Sequence, residues 1–299
     1  MRIFQVDAFT SRRYSGNPAT VVLDADRLSD EQFAQIAREF PHAETAFVLP
    51  GTGGDHDVSV RFFNSRKEAK FVGHATLAVH HVLLALGLRG YGVHRQKSLQ
   101  GIIDVAAVHE TDALNSTLFE FRQTAADLDA PLAQEDTLRI VKALGVAPEH
   151  LHQTLPPVVA RKGSTRLLLP VARAATLSLV EPDFTALVEL GARLGIEGFF
   201  PFVIEQDAGR VRTRSRMFCP ALGIPEDPVS GNAHAMLATY LWRQQPDLRP
   251  FVAQFTGLQG EYVNRPGTVN VRLEVAHDEL TAAYIGGRAV TVSEGKLVT

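Results

Sequence analysis

Two stretches of this 299-residue chain, 75–86 and 235–242, are apolar on nearly every face of a helix. A helix with no polar stripe has no place on a surface, so each must be enclosed by other structure. Ahead of each runs a polar loop that ends in glycine plus a hydrogen-bonding residue. The first reads Phe71-Val72-Gly73-His74-Ala75-Thr76, and the second reads Glu226-Asp227-Pro228-Val229-Ser230-Gly231-Asn232-Ala233-His234. Unpaired backbone N–H groups and the helix dipole make such a start attractive to anions. Two of them across one cleft would form a binding site for a small acid.

The surrounding sequence repeats on the same plan. Segments 3–9, 19–24, 45–49 and 58–63 are rich in β-branched and aromatic residues and read as strands. Ser29 with Gln32 forms a capping box, behind which Phe33, Ile36, Ala37 and Phe40 share one helical face until Pro41 stops the helix. Strands follow near 101–108 and 117–122. A second series then predicts helices over 136–144, 183–194 and 233–243, with strands near 157–160, 166–171, 199–204 and 211–218. Ala37-Arg38 recurs as Ala192-Arg193, Phe47-Val48 as Phe202-Val203, and Arg61-x-Phe63 as Arg216-x-Phe218. The spacing is 155 each time (192 − 37, 202 − 47, 216 − 61). Gly73 to Gly231 is 158, which places three extra residues in the second loop, around 224–228. A repeat this long means two similar domains rather than an array. The polar, Ala/Asp-rich stretch 124–135 reads as the linker, giving an N-terminal lobe over 1–122 and a C-terminal lobe over 123–284.

The bulk numbers exclude several classes. Apolar residues make up 45% and charged residues 21%, with a net charge of -3 and no dense Lys/Arg block, so nucleic acid is not the expected partner. The longest apolar runs carry His80 and His81 or stop near ten residues, too short for a membrane span. No basic start leads into an apolar secretory segment. A single cysteine, Cys219, permits no intrachain disulfide and no thiolate metal site. His80, His81 and His109 lack a partner at metal spacing, and no glycine-rich dinucleotide or phosphate fingerprint follows a strand. The expectation is a soluble, cytoplasmic protein with no metal and no cofactor, acting on a small molecule.

Val6-Asp7-Ala8-Phe9-Thr10 with Gly16-Asn17-Pro18, Glu44-Thr45-Ala46-Phe47-Val48, Gly73-His74-Ala75-Thr76, Arg216-Met217-Phe218 and residues 226–232 run in order over most of the chain. As a set they resemble the PhzF-like family, named for a phenazine-biosynthesis isomerase. The resemblance implies an α+β, diaminopimelate epimerase-like fold. Its two similar lobes would each be a curved, mostly antiparallel, barrel-like sheet wrapped around a central helix, with the active site between them. It also implies that the last strands, about 285–299, return to the N-terminal lobe, and that the protein is a homodimer.

On residue type alone, Glu44 is either a rim carboxylate at a strand start or, among apolar Ala43, Ala46 and Phe47, an acid/base. The resemblance implies the second, with Glu44 shuttling the proton and His74 and Asp227 completing the catalytic set. Asn17, Gly73, Gly231 and Asn232 are the implied substrate-binding residues: the glycines admit close backbone approach and the amides offer donor and acceptor. Glu226 stands outside the catalytic set. At the 155 spacing the counterpart of Glu44 is Phe199, so one half alone supplies the acid. Related racemases place a cysteine before each helix-start glycine; Val72 and Ser230 stand there in this chain, which excludes a two-thiolate mechanism. Ala43 and Asn232 replace serines of the phenazine enzyme, so substrate contacts should differ. The expected activity is a cofactor-independent isomerase moving a proton on carbon of a small carboxylate-bearing metabolite. Two alternatives are a non-catalytic small-acid binding protein and a hydrolase or lactonase built on Asp227, Ser230 and His234.

Overall fold

A computed structural model describes residues 1–40, 44–51, 54–65, 67–111, 116–207 and 209–298. Pro41, read as a helix stop, and Ala43 lie outside the described residues. The chain divides into two compact units, Met1–Arg122 with Gly286–Thr299, and Gln123–Ile285.

In the first unit β1 (Arg2–Ala8), β2 (Asn17–Val22), α1 (Asp30–Arg38), β3 (Thr45–Pro50), β4 (Val58–Phe63) and β5 (Glu68–Ala69) precede the enclosed helix α2 (Gly73–Ala85). After it come β6 (Gly92–Ser98), β7 (Gly101–His109) and β8 (Thr117–Thr124). β1 pairs antiparallel with β2, β2 runs parallel to β3, and β3 pairs antiparallel with β4. One face of this sheet carries Val21, Ala46, Val48, Val60 and Phe62 against Ala75, Ala78, Val79 and Val82 of α2. The other carries Phe47 and Phe63 against Phe33 of α1. α1 begins with the expected capping box between Ser29 and Gln32. Two of the three histidines of α2 are absorbed by the unit's own polar groups: His80 Nε2 meets Gln96 Oε1 at 3.2 Å, and His81 Nε2 meets Thr291 Oγ1 at 3.0 Å. Burial pushes both rings down to about 4, so they stay neutral near pH 7.

The second unit contains β9 (Asp127–Pro131), α3 (Gln134–Ala143), β10 (Val158–Arg161), β11 (Thr165–Pro170), α4 (Ala174–Ser178) and α5 (Phe184–Leu194). β12 (Gly198–Asp207), β13 (Arg210–Ser215), the enclosed helix α6 (Gly231–Gln244), α7 (Arg249–Val252), β14 (Gln254–Gln259), β15 (Gly267–Ala276) and β16 (Glu279–Gly287) follow. The last strand, β17 (Ala289–Lys296), pairs antiparallel with β1. β11 runs parallel to β12, β12 antiparallel to β13, and β13 parallel to β14. One sheet face packs Phe199 and Phe218 with Ile140, Val141 and Leu187 of the outer helices. The other sets Phe200 and Phe202 against His234 and Tyr240 of α6.

The stretch read as a linker is corrected. Residues 127–131 form an edge strand on β10, and Asp129 there takes the Arg161 guanidinium of that neighbour at 2.8 Å. Alternating aspartates mark a solvated edge, which composition alone does not distinguish from a loop.

The duplication holds, but two of its three sequence matches are off by one. Ser29 and Asp183 cap α1 and α5, Phe33 and Leu187 are buried, and so are Ala37 and Gly191. Each pair is 154 apart (183 − 29, 187 − 33, 191 − 37), so the partner of Ala37 is Gly191. In the sheet Phe63 lies opposite Thr45, while its counterpart Phe218 lies opposite Phe199. Phe199 therefore matches Thr45, and Phe202 cannot match Phe47. Phe47 faces the outer helix and Phe202 faces the enclosed one, because a one-residue slip turns a strand over.

The Arg61–Arg216 match is correct. Arg61 is gripped bidentately by Glu68 and lies over Phe63, and Arg216 is gripped by Glu226 and lies over Phe218. Glu68 and Glu226 each stand five residues before the helix-start glycine (73 − 68, 231 − 226). The three extra residues therefore fall between Phe218 and Glu226, where the 3₁₀ turn Pro220–Leu222 sits, earlier than the spacing placed them.

Candidate active site

Glu44 precedes the first residue of β3, and its carbonyl accepts from Thr20 N–H of β2 at 3.3 Å, which pins it to the sheet. Asn17 begins β2 at the same end and is buried. His74 is the second residue of α2. Its Nε2 lies 3.3 Å from Glu44 Oε2, with the side chains 10% and 14% exposed, so the pair is nearly shut off from water. That nitrogen makes no aligned hydrogen bond in this arrangement. The contact leaves that imidazole nitrogen open to a further hydrogen-bonding partner.

The two helix starts are not equivalent. Val72 at the N-cap of α2 offers no side-chain bond, whereas Ser230 at the N-cap of α6 accepts from Ala233 N–H at 3.3 Å. The first start thus keeps its amides for another acceptor, and the second satisfies part of its own need. Gly73 is required by packing: a Cβ there would lie 2.9 Å from Phe121 Cζ.

In the second unit, Asp227 and Gly231 lie on the loop and first turn of α6, with Asn232 next. The Asn232 carboxamide is engaged at both ends. Its Nδ2 donates to Ser164 Oγ at 2.6 Å, and its Oδ1 accepts from Gln123 Nε2 at 2.6 Å. These two bonds fix the carboxamide at the helix start and leave it one further N–H and one further lone pair. Glu226, left outside the catalytic set, is bound to Arg216 at 3.0 and 2.7 Å.

The hydrolase alternative fails on geometry. His234 Nδ1 bonds to the Ser230 carbonyl at 2.7 Å, one helical turn back, while Ser230 Oγ is spent on the cap. His234 is fully buried and burial holds it down to about 4. His234, held in this way, is not placed to take a proton from Ser230 Oγ.

The asymmetry of the acid also has a structural cause. With Phe199 matched to Thr45, the counterpart of Glu44 is Gly198, not Phe199. A Cβ on Gly198 would come 2.8 Å from both Arg166 Cδ and Cys219 Sγ. The second unit has no room for any side chain where the first holds its carboxylate.

Sequence comparisons match these features. The family description "Phenazine biosynthesis-like protein" covers residues 6–295. The chain belongs to this family. It is 35% identical to the uncharacterized isomerase YddE of Escherichia coli (strain K12) over 97% of this chain and 95% of that protein. It is 32% identical to the trans-2,3-dihydro-3-hydroxyanthranilate isomerase of Pseudomonas chlororaphis, over 98% of each. The solved PhzF-family phenazine biosynthesis protein of Bacillus anthracis superposes with a TM-score of 0.87 at 25% identity, covering 100% of this chain and 99% of that one. Like these relatives, the chain is an isomerase, and its fold is the diaminopimelate epimerase-like one.

Within this family frame, Val72 and Ser230 stand before the two glycines, so neither helix start carries a thiol, and Cys219 is buried beside Gly198. Sequence reasoning missed Gln123, Ser164 and Gln259. Each is a common polar residue whose partner lies 29 or more positions away, and no local spacing announces such a pairing. Among the described residues no helix is long and apolar enough to cross a membrane, and no cluster of metal-ligating side chains occurs.

Proposed function

We propose that this isomerase moves a proton from one carbon to another of a small, conjugated, carboxylate-bearing metabolite, with Glu44 as the acid/base and no cofactor. The observation that carries the reading is the nearly buried contact of Glu44 Oε2 with His74 Nε2, at the uncapped start of an enclosed helix. The first-turn amides from Gly73 onward hold the substrate carboxylate. Glu44 takes a proton from carbon beside the conjugated system, the C–H electrons shift the double bond along, and Glu44 returns the proton to the far carbon. Atoms and oxidation state balance, so the step calls for no redox partner. His74 offsets the charge that develops, and Asp227 orients a polar group of the substrate. Asn17, the backbone at Gly231 and the remaining valences of the Asn232 carboxamide complete the binding set.

The compound named for the Pseudomonas chlororaphis relative is the first probe. Deuterium from solvent should enter trans-2,3-dihydro-3-hydroxyanthranilate, or a related unsaturated amino or hydroxy acid, in the presence of the wild-type chain. Glu44→Gln should abolish that uptake while leaving the fold intact by circular dichroism. Uptake at the wild-type rate in Glu44→Gln would remove Glu44 as the base.

A further inference from the structure

The loop carrying Asp227 is held by a residue with no role in the chemistry so far. Gln259, the last residue of β14, is 2% exposed. Its Oε1 accepts from Ser230 N–H at 3.1 Å, and its Nε2 donates to the Asp227 carbonyl at 2.7 Å. One carboxamide thus satisfies a donor and an acceptor three residues apart, as a neighbouring strand would, and closes residues 227–230 into a fixed turn. The next residue, Gly260, has φ +89, and a Cβ on it would stand 2.8 Å from the Pro228 carbonyl oxygen. The end of β14 is pressed against the same loop. Before Asp227 the backbone is anchored again: its N–H donates to the Met217 carbonyl at 2.8 Å, and Glu226 is tied to Arg216.

We propose that Gln259 is a positioning residue of the isomerase, fixing the backbone of residues 227–230 and so the place where the Asp227 carboxylate stands. The proposal rests on Asp227 belonging to the active site. Gln259 would act through Asp227 and touch no reacting atom. A displacement of about 1 Å of a positioned group is enough to slow a reaction about a hundredfold, and removal of the clamp should act in that way. Both partners of the carboxamide matter, so a side chain able only to accept should fail at neutral pH and recover when protonated.

The test uses the 299-residue chain with trans-2,3-dihydro-3-hydroxyanthranilate in D₂O, together with backbone amide exchange at Ser230 read by NMR. Gln259→Met, similar in size and unable to pair, should lower kcat by roughly ten- to a hundredfold, leave KM little changed, and speed exchange of the Ser230 amide. Gln259→Glu should lose activity at pH 8 and regain it as the pH falls, because the protonated carboxyl again donates to the Asp227 carbonyl. Wild-type kcat in both variants overturns the proposal. So does a loss in Gln259→Glu that is the same at every pH, since a packing role has no pH dependence. Wild-type exchange in Asp227→Asn overturns instead the site assignment on which the proposal rests. A wild-type chain inert toward the probe overturns the substrate reading, and unchanged Ser230 protection in Gln259→Met then overturns the clamp itself. If Gln259→Met does not fold, the pH profile of Gln259→Glu decides: recovery at low pH supports the clamp, and a flat loss overturns it.

Discussion

The two arginine–glutamate pairs are copies of one device in different surroundings, so each serves as the control for the other. Glu226→Ala leaves the Arg216 guanidinium, in a side chain only 10% exposed, without its counter-charge. Breaking a buried pair in this way costs about 3–5 kcal/mol. Arg216 keeps two backbone acceptors, the carbonyls of Leu177 and Val180, and the ring faces of Phe218 and Tyr262. Those contacts place the expected cost at the lower end, about 3 kcal/mol. Arg61 and Glu68 are 28% and 19% exposed, and Arg61 also reaches Asp30 at 2.5 Å, so Glu68→Ala leaves a cation with a second partner and access to water. That change should cost about 1 kcal/mol or less. The second unit spans 123–285, which is 163 residues (285 − 123 + 1), and at this size 1 kcal/mol moves Tm by about 2–4 °C. Calorimetry at pH 7 should therefore show a loss of about 6–12 °C for Glu226→Ala and a distinctly smaller one for Glu68→Ala, which lies in the first unit. Raising the salt concentration should shrink the second effect more than the first. Equal losses, or a larger one for Glu68→Ala, would refute the reasoning that burial separates the copies.

Three further outcomes follow from the same geometry. Gly198→Ala should destabilise the second unit by about 1–3 kcal/mol through overpacking against Arg166 and Cys219, measured by urea unfolding; an unchanged midpoint would show that the pocket has room for a side chain. Asn232→Ala should strand the Gln123 amide and the Ser164 hydroxyl and cost about 1–3 kcal/mol, and a neutral result would show that water replaces the carboxamide. Burial holds His80, His81 and His234 down to about 4, whereas an unfolded histidine titrates near 6.5. Between those values the unfolded chain binds protons that the folded chain refuses. The stability from these rings is thus complete above about pH 6.5 and is lost as the pH falls toward 4. His81→Gln should flatten the fall in urea midpoint across that window by about one histidine's share, and an unaltered slope would mean the ring is protonated in the folded state.

The enclosed helices were legible because nothing but burial accounts for runs such as Ala75 to Val79 and Ala235 to Leu241. The glycine starts were legible for the same reason, since the break in the apolar pattern marks where each helix meets its loop. The capping box at Ser29 depends on residues three apart and was legible too. Register was not. Ala37 with Ala192 and Phe47 with Phe202 are identical in type yet differ by one position in space, because letters carry no information on which face a strand presents. Arg61 and Arg216 survived because a guanidinium needs both a carboxylate and a ring, and the whole set was copied together. Asp127 and Asp129 read as a linker since an exposed edge strand and a loop share one composition. The long-range polar pairings, Gln259 with residues 227 and 230 above all, depend on chain topology that no local pattern encodes.

The register of the repeat bears on how the two units could serve catalysis. Had Phe199 been the counterpart of Glu44, the missing second acid would be a simple substitution, reversible by one mutation. With Gly198 in that place, the carboxylate is excluded by volume: Arg166 and Cys219 already occupy the space where its Cβ would stand. The second helix start has moved the same way, with Ser230 closing part of its own cap and Gln123 and Ser164 each binding one end of Asn232. The first start has no side-chain cap and sets His74 against Glu44. The second start is tied more closely into its own unit than the first, and the proposed single-base reaction draws on the first. A carboxylate introduced at Gly198 would therefore have to displace Arg166 and Cys219 before it could stand where Glu44 stands in the first unit.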